Sequence, residues 1–275
     1  MSEYAGVGLR DQQVRFDVGA DEARAANRAQ RTRLLETVTG LSAADWSLPS
    51  RCAGWSIQDV VRHLAQINRV QVASVEAGLA GERFDGFRGF DPKSTPGSWL
   101  KAAGDEPAPA TLAEFTRSTA SALSTADQLA SRGDELLVAT PAGRQPWHRA
   151  ILHASFDSAV HERDILEPLG RRAAADPAEV GAIAAYQLLL NARVLAVVGV
   201  QLDLALCLDP GIELRAIVDG AIVEVRRDRI GGAALVGSGP ADQVLDAMSG
   251  RGDLAEAVSG PPEVATALSA LRGLL

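Results

Sequence analysis

The sequence predicts an α plus small α/β chain: a helical bundle over residues 21–199 followed by a small α/β domain over residues 200–275. Three observations carry this. Long segments in the first part of the chain repeat their apolar residues at helical spacing. After Gly199 the texture switches to strict alternation. Within that alternating part, Asp219-Gly220 separates two apolar runs, which is a strong hairpin signal.

The first helix is expected over Asp21–Thr39, where Ala, Leu and Val recur without Pro or Gly, ending at Gly40 as a C′ residue. Residues 1–20 before it are polar and are read as a flexible extension. Pro49 and Gly54 then break the chain. Ser56 opens the next helix as N-cap, with Asp59 three residues on as the capping-box acid. Ile57, Val60, Val61, Leu64 and Ile67 give that helix one apolar face, to about Ala77. Gly81 to Pro109 is rich in Gly, Pro, Asp and Lys and is read as one long loop over the open end of the bundle. Further helices are expected over Thr111–Ala130, Arg149–Leu166 and Pro177–Val198, with a turn at Pro141–Pro146. Beyond Gly199, strands are expected at Leu202–Leu206, Ile212–Val218, Ala221–Arg226 and Ala233–Val236, then closing helices at Pro240–Met248 and Pro262–Leu274.

Composition narrows the function classes. The net charge is −8 with no basic stripe, so nucleic acid and anionic membrane surfaces are disfavoured partners. No run of 18 uninterrupted apolar residues and no apolar leader occur, so a soluble cytoplasmic chain is expected. Two cysteines, Cys52 and Cys207, make no disulfide framework and no zinc knuckle.

The chemistry rests on four histidines: His63, His148, His153 and His161. Asp157 and His161 are four apart, which on a helix puts both side chains on one face. Imidazole nitrogen and carboxylate oxygen both suit a borderline divalent metal. His63 lies on another helix, at the edge of its core face beside Ile67 and Val70, and is expected to point into the bundle. Two His and one carboxylate leave coordination positions open, the pattern of a catalytic site. The spacing leaves alternatives open. Asp157 and His161 also fit a plain i,i+4 surface pair, and His63 a core histidine. His153, Asp157 and His161 form a competing row on one helix, drifting about 80° over its length. In that case His153 is a ligand; otherwise it is a residue that supports a ligand from behind or a pocket acid/base.

The stretch Trp46-Ser47-Leu48-Pro49-Ser50-Arg51-Cys52-Ala53-Gly54-Trp55-Ser56-Ile57-Gln58-Asp59-Val60-Val61-Arg62-His63-Leu64 resembles the opening signature of the mycothiol-dependent maleylpyruvate isomerase family, within the wider DinB-like metalloenzyme superfamily. A second signature, a carboxylate four residues before a His and then an Asp, reads Asp157-Ser158-Ala159-Val160-His161-Glu162-Arg163-Asp164. The tail from Gly237 to Pro262 is similar to the small sterol-carrier-like domain that ends many members. The resemblance implies a DinB-like four-helix bundle with a metal site at one end. It places His63, Asp157 and His161 on the three metal-ligand positions, with zinc the usual metal. The family usually carries Glu where this chain has Asp157, one methylene shorter.

The function so implied is activation of a low-molecular-weight thiol such as mycothiol for addition to a small electrophilic substrate, as an isomerase or S-transferase. His153 or Glu162 is then the proton carrier. Two other classes stay open: a ligand-binding accessory protein without turnover, and a hydrolase or lyase in which the metal activates water. Trp46 and Trp55 are read as core packing. Cys52 is read as structural, since it sits in a turn with no adjacent His. Arg226, Arg227 and Arg229 are read as a strand-end charge cluster rather than an anion site. The oligomeric state has no signature in the residues.

Overall fold

The structure is a computed structural model describing residues 12–133, 136–227 and 231–273. It divides into two compact units, one formed by Ala20–Ala175 and the other by the segments ending at Gly19 and beginning at Asp176.

In the first unit, α1 (Ala20–Thr39), α2 (Ile57–Leu79), α4 (Ala108–Gln128) and α5 (Trp147–Leu166) pack on one another around two apolar clusters. Helix α2 starts as its sequence dictates. The Ser56 hydroxyl accepts from the Asp59 amide at 3.2 Å while Asp59 accepts from the Ser56 amide at 3.0 Å. Those reciprocal bonds satisfy two donors that a helix start leaves orphaned. The cluster at this end holds Leu34, Val38, Trp46, Ile57, Val60, Val61, Leu64, Phe115 and Ile165. At the other end Leu129, Val138, Trp147 and Ile151 close the core. Polar groups tie the helices between clusters: Asn68 of α2 donates to Ser118 and Thr119 of α4 at 3.3 and 3.2 Å.

The expected loop Gly81–Pro109 contains a helix, α3 (Thr95–Ala103). Pro96 occupies its first turn, where a missing N–H costs nothing. Phe84, Phe87, Phe90 and Trp99 form a chain of edge-on ring contacts that orders the segment before it. The Gly and Pro content hides this, because aromatic spacing in a loop has no fixed period. The expected turn Pro141–Pro146 is in part a strand: 141–142 form the turn of a hairpin, β2 (Leu137–Thr140) with β3 (Gly143–Pro146).

The second unit is a five-stranded sheet in the order β1-β6-β5-β4-β7, covered by helices. Strands β4 (Leu202–Asp209), β5 (Ile212–Asp219) and β6 (Ile222–Arg226) form the predicted antiparallel meander, turning at Gly220 with φ +56°. Strand β7 (Leu235–Pro240) runs parallel to β4. Its Gly239 is obligatory, since a Cβ there would lie 2.2 Å from the Ala257 carbonyl oxygen.

Two sequence boundaries are corrected here. The extension 1–20 supplies β1 (Gln13–Phe16), which pairs in parallel with β6 from Gln13 beside Ile222 to Phe16 beside Val225; residues 1–11 lie outside the described part. Helix α6 (Pro177–Val197), assigned from the sequence to the 21–199 bundle, packs instead on β5 and β6. It is apolar all round, as a helix laid on a sheet and covered by other elements must be. Among the described residues it is the one helix long and apolar enough to cross a membrane, and 78% of that window is buried inside the protein. The closing helices are α7 (Ala241–Met248), α8 (Leu254–Ala257) and α9 (Pro262–Leu268). Leu274, the expected end of the last helix, falls outside the described residues.

Candidate metal centre

Helix α2 delivers His63 and helix α5 delivers Asp157 and His161 to one point between them. His63 Nε2 lies 4.0 Å from Asp157 Oδ2, and His161 Nε2 lies 3.7 Å from Asp157 Oδ1. The two imidazoles meet edge to face with centroids 4.9 Å apart. Neither carboxylate–imidazole distance is a hydrogen bond. Asp157 Oδ2 is buried and has no hydrogen-bond partner, an arrangement that costs at least about 1–3 kcal/mol unless something fills it. Donor atoms around a tetrahedral ion with bonds of 2.0–2.1 Å sit about 3.4 Å apart, so these three need to close only slightly. Donor chemistry, spacing and the orphaned oxygen all fit a divalent cation.

Protonation agrees for His63. Burial, then the neighbouring His161, pushes its pKa down to about 4, with Asp157 pulling the other way. It is therefore a neutral imidazole at pH 7, the form that binds metal. For His161, burial also acts downward. The Asp164 hydrogen bond, the Cys52 contact and the Asp157 charge outweigh it and hold the pKa up at about 10. A cation entering at Nε2 would displace a proton there.

His161 is held from behind. Its Nδ1 lies 3.0 Å from Asp164 Oδ2, a buried carboxylate. This carboxylate–histidine pair fixes the ring so that Nε2 faces Asp157. Asp164 in turn accepts from Arg51 Nε at 3.0 Å and from the Cys52 thiol at 3.1 Å, and Cys52 Sγ is 3.6 Å from His161 Nδ1. Arg51 also pairs with Glu167. Cys52, His161 and Asp164 thus form a second convergent set. The Arg51 guanidinium on Asp164 already supplies positive charge there, which disfavours a further cation. The set reads as the support of the first.

Cys52, read from the sequence as structural with no His adjacent in the chain, touches His161 across 109 positions, a contact with no local signal. Glu162, the other candidate proton carrier, is engaged by Arg33. Its carboxylate faces α1, bound by Arg33 Nε at 2.9 Å and Arg33 Nη2 at 2.8 Å, with Gln30 at 3.5 Å, and its side chain is 1% exposed. One residue along a helix turns a side chain by 100°, so Glu162 cannot share the direction of His161. His153 is half-buried beside Phe156, with ring centroids 6.4 Å apart. Among the described residues it joins neither convergent set, so the row His153, Asp157, His161 is not assembled.

Trp46 is core, as expected, at 6% exposure. Trp55 is half-buried and lies against His63, with centroids 5.4 Å apart. Arg226 pairs with Glu224, and Arg227 with Asp17; Arg229 lies outside the described residues.

Comparison with known proteins bears on the same residues. A family described as mycothiol maleylpyruvate isomerase N-terminal domain matches residues 27–166, just over half of the chain and the part holding all three candidate ligands. No curated protein matches the chain by sequence. Two solved structures share the fold: a mycothiol-dependent maleylpyruvate isomerase and a histidine-to-alanine mutant of the mycothiol-dependent maleylpyruvate isomerase. Both have a TM-score of 0.62, at 15% and 14% identity, over 89% of this chain and 94% of theirs.

Proposed function

The chain belongs to the mycothiol maleylpyruvate isomerase N-terminal domain family, and from that premise we propose that it is a metal-dependent enzyme that activates a mycothiol-like thiol for addition to a small electrophilic substrate, as isomerase or S-transferase. In this reading the first unit is a DinB-like bundle and the second a sterol-carrier-like domain. The single observation that carries the proposal is the convergence of His63, Asp157 and His161 on one point, with the buried, unpartnered Asp157 Oδ2 4.0 Å from His63 Nε2 and Oδ1 3.7 Å from His161 Nε2.

His63, Asp157 and His161 would hold the metal, zinc being the natural fit to two imidazoles and one carboxylate. Bound there, the metal would supply a lowered sulfur pKa, so that a coordinated thiol stands as thiolate at neutral pH. The rest falls to side chains. Asp164 keeps His161 oriented, and Arg51 and Cys52 keep Asp164 oriented. Trp55 covers one side of His63 and keeps water from it. His153, one turn before Asp157 on α5, is the candidate to move a proton on the substrate.

The test is an assay of the purified protein with and without added thiol, before and after chelation and zinc return. Turnover that needs both thiol and metal is the expected result. Undiminished turnover without thiol would assign the metal-activated-water chemistry instead, and a protein that takes up no divalent metal would leave only ligand binding.

The shorter carboxylate makes its own prediction. Asp157 already comes within 4.0 Å of both imidazole nitrogens. A longer arm reaches the same point with slack, so Asp157→Glu is expected to retain or strengthen metal binding in a competition titration with a chromogenic chelator. A loss of tenfold or more would mean that the helix spacing is set to the shorter side chain.

A further inference from the structure

For His63 to ligate through Nε2, the nitrogen 4.0 Å from Asp157 Oδ2, its proton must sit on Nδ1. A neutral imidazole carries one N–H, and a buried N–H needs an acceptor. Yet His63 Nδ1 is buried and has no hydrogen-bond partner among the described residues. His161 meets the same need with Asp164, whose carboxylate lies 3.0 Å from its Nδ1. Among the described residues the carboxylate paired with His63 is Asp157, and it faces Nε2.

The acceptors that lack a donor narrow the choice. Among the described residues, four side-chain oxygens are buried and unpartnered, on Gln30, Gln66, Asp157 and Gln187. Asp157 Oδ2 is on the ligating side of the ring. Gln187 belongs to α6 in the second unit. Gln30 is on α1, with its amide nitrogen turned to Glu162 at 3.5 Å. Gln66 is on α2 itself, three residues after His63. Side chains at that spacing share a helix face, with Cβ atoms about 5–6 Å apart, within the span of a glutamine side chain.

The Gln66 amide is also the right way round. Its Nε2 donates to the Trp99 carbonyl of α3 at 3.4 Å. A carbonyl only accepts, so the nitrogen is the end held toward α3 and the oxygen is the end left over. A donor without an acceptor and an acceptor without a donor thus lie one turn apart on one helix face.

We propose that Gln66 is the positioning residue of His63: its Oε1 accepts the Nδ1–H of the ligating ring and aims Nε2 at the point shared with Asp157 and His161. This rests on the metal-centre reading above and adds the group that orients its α2 ligand. Each imidazole then has an oxygen behind it, from Asp164 on α5 and from Gln66 on α2.

The test compares wild type, Gln66→Leu and Gln66→Glu as full chains. Zinc affinity is measured by competition with a chromogenic chelator, and the His63 ring of the zinc-loaded protein by imidazole nitrogen–proton NMR. Wild type should show His63 protonated at Nδ1, with a proton that exchanges slowly with water. Gln66→Leu keeps the volume and loses the acceptor. Its zinc affinity should fall about 10–100-fold, the range for the outer partner of a ligand, and its Nδ1 proton should exchange fast. Gln66→Glu keeps an acceptor oxygen but loses the donor to Trp99, and should hold zinc as wild type does. Wild-type affinity in Gln66→Leu, or a rapidly exchanging Nδ1 proton in loaded wild type, would overturn the proposal. So would an equal loss in Gln66→Glu, which would trace the effect to the Trp99 bond. Failure of the metal reading itself looks different: wild type then takes up no zinc, or His63→Ala holds it equally well.

Discussion

Metal content should collapse in His63→Ala, Asp157→Ala and His161→Ala, each measured by elemental analysis after gel filtration, while His153→Ala keeps wild-type occupancy. The three side chains come from two helices, and no pair of them forms a hydrogen bond that would persist without an ion. Removing one leaves two donors for a cation that needs three protein ligands to compete with water. Removing a mere outer partner costs about 10–100-fold in metal affinity, so the ligands themselves should cost more than that. Asp164→Ala gives the intermediate case. It frees the His161 ring to rotate and leaves the Arg51 guanidinium without its buried carboxylate. Metal affinity should then fall by about one to two orders of magnitude, the range seen for outer partners. Unchanged occupancy in all three ligand variants would refute the assignment. Loss in His153→Ala would restore the one-helix row in its place.

Arg33→Ala should be the most destabilising surface-adjacent change. Glu162 is 1% exposed and takes both its oxygens' strongest bonds from that one guanidinium. Deleting the partner strands a charge in the α1–α5 interface, with, among the described residues, only a long contact from Gln30 left. Breaking a buried pair from one side costs about 3–5 kcal/mol. For a unit of this size that is a fall in Tm on the order of 10 °C. The double replacement Arg33→Met with Glu162→Leu should recover most of it, because neither charge then has to be desolvated. The same pair separates structure from catalysis. Glu162→Gln should lower Tm and leave kcat near wild type. A large loss of kcat without a change in Tm would return Glu162 to the role of proton carrier.

These outcomes bear on how far residues can be read without coordinates. The capping box at Ser56 and Asp59, the apolar face from Ile57 to Leu64 and the Asp219-Gly220 turn are local, so their signals sit within a few positions of one another. The i,i+4 relation of Asp157 and His161 is equally local; the place of His63 at the edge of its helix's core face made it a candidate, and the resemblance around Trp46–Leu64 put it on a ligand position. The Arg33 partner of Glu162 had no local signal, since it lies on another helix, and neighbours on one helix point 100° apart. The contact of Cys52 with His161 could not be read from the chain, because the two are far apart in sequence and near in the fold. The N-terminal strand shows the same limit. Gln13–Phe16 is too short and too polar to announce a strand, and it becomes one only because β6 offers an open edge.

Local periodicity and turn chemistry, then, set the helices, the meander and the histidine–carboxylate spacing, since backbone hydrogen bonding and side-chain direction repeat over a few residues. The folded chain alone decided that Asp164, Arg51 and Cys52 stand behind His161, that Arg33 neutralises Glu162, and that α6 lies on the sheet. Those choices depend on which distant surfaces bury one another and which buried charges find partners, and neither quantity is encoded at any single stretch of the sequence.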